Sequence, residues 1–136
     1  MIMKSSLKFL FFISTGCLLF FSCNKPAVRI IESGIWMVSL YTEDSKDETS
    51  EFAGYKFDFN KNELLTVTMT IAGSTNTVNG TWTYDDASSK YRISISGTGN
   101  LDKVNGDWTI ISKSSDLIEL KDDNPTKKEF LNFKKI

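Results

Sequence analysis

The chain has 136 residues, enough for one domain, with 16 Lys and Arg against 17 Asp and Glu and a net charge of −1. Histidine is absent and cysteine occurs only as Cys17 and Cys23, which excludes histidine acid–base catalysis, Cys/His zinc sites and a disulfide framework. No excess of Lys and Arg offers a basic surface to nucleic acid.

Residues 1–22 read as an export signal. Lys4 and Lys8 precede an apolar run over residues 9–21, which has the length of a signal core and falls short of the ~20 residues a membrane-spanning helix needs. Removing the signal leaves 14 basic against 17 acidic residues and a net charge of −3. The run ends Leu19-Phe20-Phe21-Ser22-Cys23, which resembles a bacterial lipobox of the relaxed kind found in Bacteroidetes, with Phe20 in place of the usual Leu. The resemblance implies that Cys23 is fatty-acylated and becomes the mature N-terminus. Cys17 is the competing position, but it would leave an apolar run of residues 9–13 only. At about 0.8 kcal/mol per buried CH₂, two acyl chains hold a protein stably on a membrane. Residues 23–33 are then a lipidated tether. No acidic cluster follows Cys23, so the expected place is the outer membrane, facing the periplasm.

Residues 34–136 read as the folded domain. From Gly34 the apolar period is 2, and Gly or Asx clusters recur about every ten residues, the pattern of an all-β barrel or sandwich. In the first strand Trp36, Val38 and Leu40 alternate with Met37 and Ser39; in the second Tyr55, Phe57 and Phe59 alternate with Lys56 and Asp58. Leu65, Val67, Met69 and Ile71 follow, interleaved with Thr66, Thr68 and Thr70. A fourth strand over residues 75–85 presents Val78, Gly80, Trp82 and Tyr84 inward, and a fifth presents Tyr91, Ile93 and Ile95. Leu101 and Val104, three apart, suit a helical turn or a loop that plugs one end. Three strands complete the set: Trp108 and Ile110, then Ile118 and Leu120, then Leu131 and Phe133 mark their inner faces. Short links join antiparallel neighbours, and eight such strands remove their unpaired edges by closing. The expected fold is an eight-stranded antiparallel up-and-down barrel, with a β-sandwich as the alternative.

All three tryptophans sit in Gly-x-Trp, at Gly34-Ile35-Trp36, Gly80-Thr81-Trp82 and Gly106-Asp107-Trp108. The first resembles the opening motif of the lipocalins. The wider set resembles the small lipocalin-like lipoproteins of Bacteroidetes over residues 34–136: Gly54-Tyr55-Lys56-Phe57-Asp58-Phe59, Gly80-Thr81-Trp82-Thr83-Tyr84, Leu101 and Val104 before Trp108, and a closing Leu131-Asn132-Phe133-Lys134. The resemblance implies that Trp36 is a residue of the barrel floor. It also implies that Lys134 takes the place of the Arg that packs over this Trp in lipocalins.

The candidate ligand-binding residues are Trp82, Tyr84, Tyr91 and Phe57, aromatic positions on the inner faces of strands two, four and five. The acidic run over residues 43–51 lacks the glycine and spacing of a calcium loop and reads as a solvated loop. Asp85-Asp86 and residues 122–125 read as turns. No Gly-x-Ser-x-Gly, phosphate loop or paired carboxylates in a cleft appear, so no catalytic residue, metal site or cofactor is expected. Two functions compete. One is a binder of a small apolar ligand inside the barrel. The other is an envelope interaction or inhibitor module with a filled barrel, using an outer patch of Met37, Tyr41 and Ile111. An internal void above roughly 300 Å³ favours the first, and a filled interior with an exposed apolar patch favours the second.

Overall fold

The computed structural model describes residues 26–97 and 99–136. The export signal, Cys17 and Cys23 lie outside the described residues. A short helix α1 (Pro26–Ile31) precedes β1 (Ile35–Glu43), β2 (Lys46–Asp47), a 3₁₀ turn η1 (Thr49–Phe52), β3 (Tyr55–Phe59), β4 (Leu64–Ile71), β5 (Ser74–Asp85) and β6 (Lys90–Ile95). A second 3₁₀ turn, η2 (Gly99–Val104), leads to β7 (Gly106–Lys113), β8 (Leu117–Asp122) and β9 (Glu129–Lys135). From β3 onward each strand pairs antiparallel with the next, and β9 pairs with β1 from Trp36↔Lys135 to Glu43↔Glu129. That last pairing closes the sheet, giving the expected eight-stranded barrel and overturning the sandwich alternative. The two-residue β2 is an arm on the end of β1 and stands outside the eight.

Alternation holds wherever the register is regular. Phe57, Phe59, Leu65, Val67, Trp82, Tyr91, Ile93, Trp108, Ile118, Leu120, Leu131 and Phe133 are all buried. It fails at two bulges, because one extra residue reverses the faces beyond it. Between Val38 and Leu40 the register shifts, so Leu40, expected in the core, is half-buried, while Tyr41, expected outside, is 1% exposed. The apolar patch of Met37, Tyr41 and Ile111 therefore does not form. A second shift lies between Ile110 and Ser112; Ile110, expected inward, is half-buried just before it, and Ile111 is exposed, as expected. Ile71 is also exposed, at the tip of the β4–β5 hairpin, where β5 pairs with it but β3 has ended at Tyr55↔Met69. Gly80 faces inward where β5 meets β6. A Cβ there would collide with the Ser94 carbonyl oxygen and stand 2.9 Å from Ile95 Cα, so only glycine permits this approach.

One end of the barrel is shut by α1. The segment expected as a tether is folded onto the barrel from residue 26, because Ala27 and Ile31, four apart on one helical face, are both buried. The Trp36 indole Nε1–H donates to the Ile31 carbonyl at 2.8 Å. The Lys135 ammonium lies 5.0 Å from the centre of the Trp36 ring and donates to Ser33 Oγ at 2.6 Å. Its stem crosses Gly34, where a Cβ would come within 3.1 Å. The cation over the first tryptophan is therefore Lys135 and not Lys134: Trp36 is the cross-strand partner of Lys135, whereas Lys134 pairs with Met37 on the outer face.

At the opposite end the chain between β1 and β3 is not a free acidic loop. β1 meets β3 only at Ile35↔Asp58 and Trp36↔Phe57, and η1 fills the seam beyond. Glu48 N donates to Tyr41 O at 2.9 Å, Tyr41 N donates to Thr49 Oγ1 at 2.8 Å, and the buried Phe52 ring lies 5.2 Å from that of Tyr41.

Trp36→Ala removes a fully buried indole and the bond that holds α1. It should cost about 3–5 kcal/mol in chemical denaturation; a loss below about 1 kcal/mol would mean that the floor does not depend on this side chain.

Candidate functional site

The end away from α1 holds a mainly apolar recess. Register brings Tyr55 opposite Met69, Met69 opposite Asn76, and Val67 opposite Val78, all on inner-face positions near the mouth. With Leu101 of η2 and Ser96 they line a cleft of about 440 Å³. Small-ligand sites occupy roughly 300–1,000 Å³ and combine an apolar lining with a few polar groups, which Asn76 and Ser96 supply here.

One lip of this cleft is the expected plug. Leu101 and Val104 on η2 are buried, and the Trp108 indole donates to Val104 O at 3.0 Å. The Asn105 side chain continues the edge of β6 in place of a strand, accepting from Ile95 N at 2.7 Å and donating to Ile95 O at 3.1 Å. Lys103 ties η2 to η1: its ammonium donates to the carboxylates of Glu48 and, at 2.7 Å, Glu51. Lys46 donates to the other Glu48 oxygen at 2.6 Å, and Asn100 Nδ2 donates to Glu51 O at 3.1 Å. The hydrogen bond from Lys103, seconded by that from Lys46, holds the Glu48 carboxyl below its usual range, and the same bond raises Lys103. The carboxylates of Glu48 and Glu51 thus serve as a clamp between the two turns.

Below the cleft the interior is packed by rings. Phe57 is the cross-strand partner of Val67 at the cleft floor. The Phe59 ring lies 5.4 Å from Phe133, 5.6 Å from Tyr91, 5.7 Å from Trp82 and 6.4 Å from Phe57, mostly edge to face. Such separations are contact distances for aromatic pairs. The structure therefore brings three of the four sequence-derived candidates, Phe57, Trp82 and Tyr91, into one aromatic column. Phe59, which alternation places inward and which closes the motif over residues 54–59 but is not among the ligand candidates, is its hub.

Tyr84, the fourth, is half-buried at the rim nearer α1. Its hydroxyl donates to Asp86 Oδ1 at 3.1 Å, and the Lys113 ammonium sits 5.4 Å from its ring centre. With Trp82, Val28, Asn62 and Glu63 it lines a smaller cleft of about 240 Å³ beside α1. The residues of the larger cleft carry a weaker sequence signal. Met69 and Val78 alternate correctly, but nothing in a single sequence marks which inner-face positions lie beyond the packed rings.

The Tyr91 hydroxyl is fully buried and has no hydrogen-bond partner among the described residues. Burial pushes its pKa well above the usual tyrosine value.

No protein-family model matches the chain, and no curated protein matches it in sequence. Among solved structures it is similar to a DUF4847 family protein from Bacteroides vulgatus (TM-score 0.59, 14% identity, covering 79% of this chain and 96% of that one). It is equally similar to a lipocalin-like protein from Bacteroides uniformis (TM-score 0.59, 14% identity, 78% and 99%). The fold is lipocalin-like. Japanin from Rhipicephalus appendiculatus, solved bound to cholesterol, shares the lipocalin-like barrel at TM-score 0.51 and 11% identity, covering 79% of this chain and 77% of that one.

The unpaired hydroxyl gives a direct check on the packed column. Tyr91→Phe should keep the fold and raise stability in chemical denaturation by about 1 kcal/mol, because it removes a polar group that burial has desolvated without repayment. A loss of that size instead would reveal a bound partner for the hydroxyl.

Proposed function

We propose that the protein is a non-enzymatic binder of a small apolar ligand, anchored to the outer membrane through acylated Cys23 and facing the periplasm. The observation that carries the binding reading is the cleft of about 440 Å³ at the mouth of the barrel, walled by Tyr55, Val67, Met69, Val78 and Leu101. It is an open recess above a packed interior, and its size lies within the roughly 300–1,000 Å³ of small-ligand sites. The aromatic column of Phe57, Trp82 and Tyr91 packs the interior beneath the cleft without lining it, and Tyr84 stands at the far rim. The cholesterol-bound neighbour of the same fold supports an apolar ligand of this kind. The interaction-module reading loses support, since Tyr41 is buried and its expected patch is absent. The anchoring part of the reading rests on the lipobox resemblance alone.

The test is titration of the signal-less Cys23→Ala protein with cis-parinaric acid, a fluorescent fatty acid. Binding should be saturable and should raise the melting temperature. Met69→Arg, which puts a cation into the cleft wall, should weaken it about tenfold, or ~1.4 kcal/mol, while Tyr84→Ala should leave it within about twofold. Absence of any change in emission or melting temperature across apolar probes would return the barrel to the interaction-module reading.

A further inference from the structure

The docking of α1 shortens the tether and thereby orients the barrel. Residues 23–33 would span up to about 36–40 Å if extended, enough for the domain to tumble freely above a membrane. In the structure the chain is fixed from Pro26, with Ala27 and Ile31 buried and the Ile31 carbonyl held by Trp36. Only Asn24 and Lys25 separate Cys23 from the docked helix. Whatever their conformation, three residue steps reach at most about 11 Å.

We propose that the α1 end of the barrel faces the bilayer and the cleft mouth points away from it. The proposal rests on the anchoring reading above. Two further features fit that surface. Leu64, the first residue of β4, and Ile136, bonded through its backbone N to Ile35 O, lie at the α1 end and are 55% and 58% exposed. Isolated apolar side chains of this kind gain free energy from the interfacial zone of a membrane. The mouth is far from that surface: β4 alone carries the chain about 23 Å from Leu64 to Ile71 at ~3.3 Å per residue. A ligand therefore enters from the aqueous side, handed over by another carrier or taken from solution, and is not drawn directly out of the membrane that holds the anchor.

The test uses the full acylated chain on vesicles of phosphatidylethanolamine and phosphatidylglycerol carrying a headgroup-labelled acceptor lipid. With the signal removed and Cys23 acylated, Leu64→Cys or Ser74→Cys supplies the only free thiol for a donor dye. Energy transfer to the bilayer should be several-fold stronger from position 64 than from position 74. Inserting a Gly/Ser linker of about 20 residues, with an r.m.s. span near 25 Å, between Lys25 and Pro26 should erase the difference. Equal or stronger transfer from position 74, on protein that floats with the vesicles, would overturn the orientation, as would a difference that survives the linker. Flotation that persists in Cys23→Ala, or fails in the parent, would overturn the anchoring reading itself, and the two failures are distinguishable in the same experiment.

Discussion

The hydrogen bond from the Trp36 indole to the Ile31 carbonyl decides which end of the barrel is shut. A closed sheet of eight strands has no edges to protect, but it has two open ends, and each exposes inner side chains unless something covers it. At one end the cover is α1, pinned by Trp36 and flanked by Lys135. The other two indoles act in the same way: Trp82 donates to Asn60 O at 2.9 Å and fastens the β3–β4 turn, and Trp108 donates to Val104 O and fastens η2. Each Gly-x-Trp thus supplies a large apolar plug whose single polar atom is spent on a backbone carbonyl of a connecting segment. That is the arrangement in which a buried tryptophan is least costly.

Between these fastenings the aromatic column does the packing, and its position fixes where space remains. Phe59 touches rings from β3, β5, β6 and β9, so the middle of the barrel is occupied at aromatic contact distance. Past Val67 the inner-face residues become smaller or more flexible: Val78, Met69, Asn76. The clamp of Lys103 with Glu48 and Glu51 then holds η2, and with it Leu101, as one lip of the recess. The ion pairs are partly exposed, so their role is to fix the two turns relative to one another more than to add stability.

Much of this was legible in the sequence. Period 2 identified the strands and most of the core, and short links between them predicted antiparallel order. The spacing of Leu101 and Val104 predicted the plug. The departures share a cause, which is that a single sequence does not mark where the register changes or which neighbour a residue meets. The bulge after Val38 turned Tyr41 inward, and no glycine or proline announces it. Lys134 and Lys135 are adjacent in sequence, and only the pairing of Trp36 with Lys135 chooses between them. The helix at Pro26–Ile31 is too short to give a periodic signal, so it read as tether. The aromatic candidates were found because their residue types are conspicuous. The cleft was not, because its lining of Val67, Met69, Val78 and Leu101 with Tyr55, Asn76 and Ser96 is ordinary strand sequence whose significance depends on how high in the barrel it sits.

The central claim is that the space for a ligand lies above the aromatic column, at the end opposite α1. The most direct measurement is a set of intermolecular nuclear Overhauser effects between a bound fatty acid and methyl-labelled protein. The account predicts contacts to the methyl groups of Val67, Met69, Val78 and Leu101. Contacts confined to Val28 beside α1, or none to any of these methyls in a saturated complex, would contradict it.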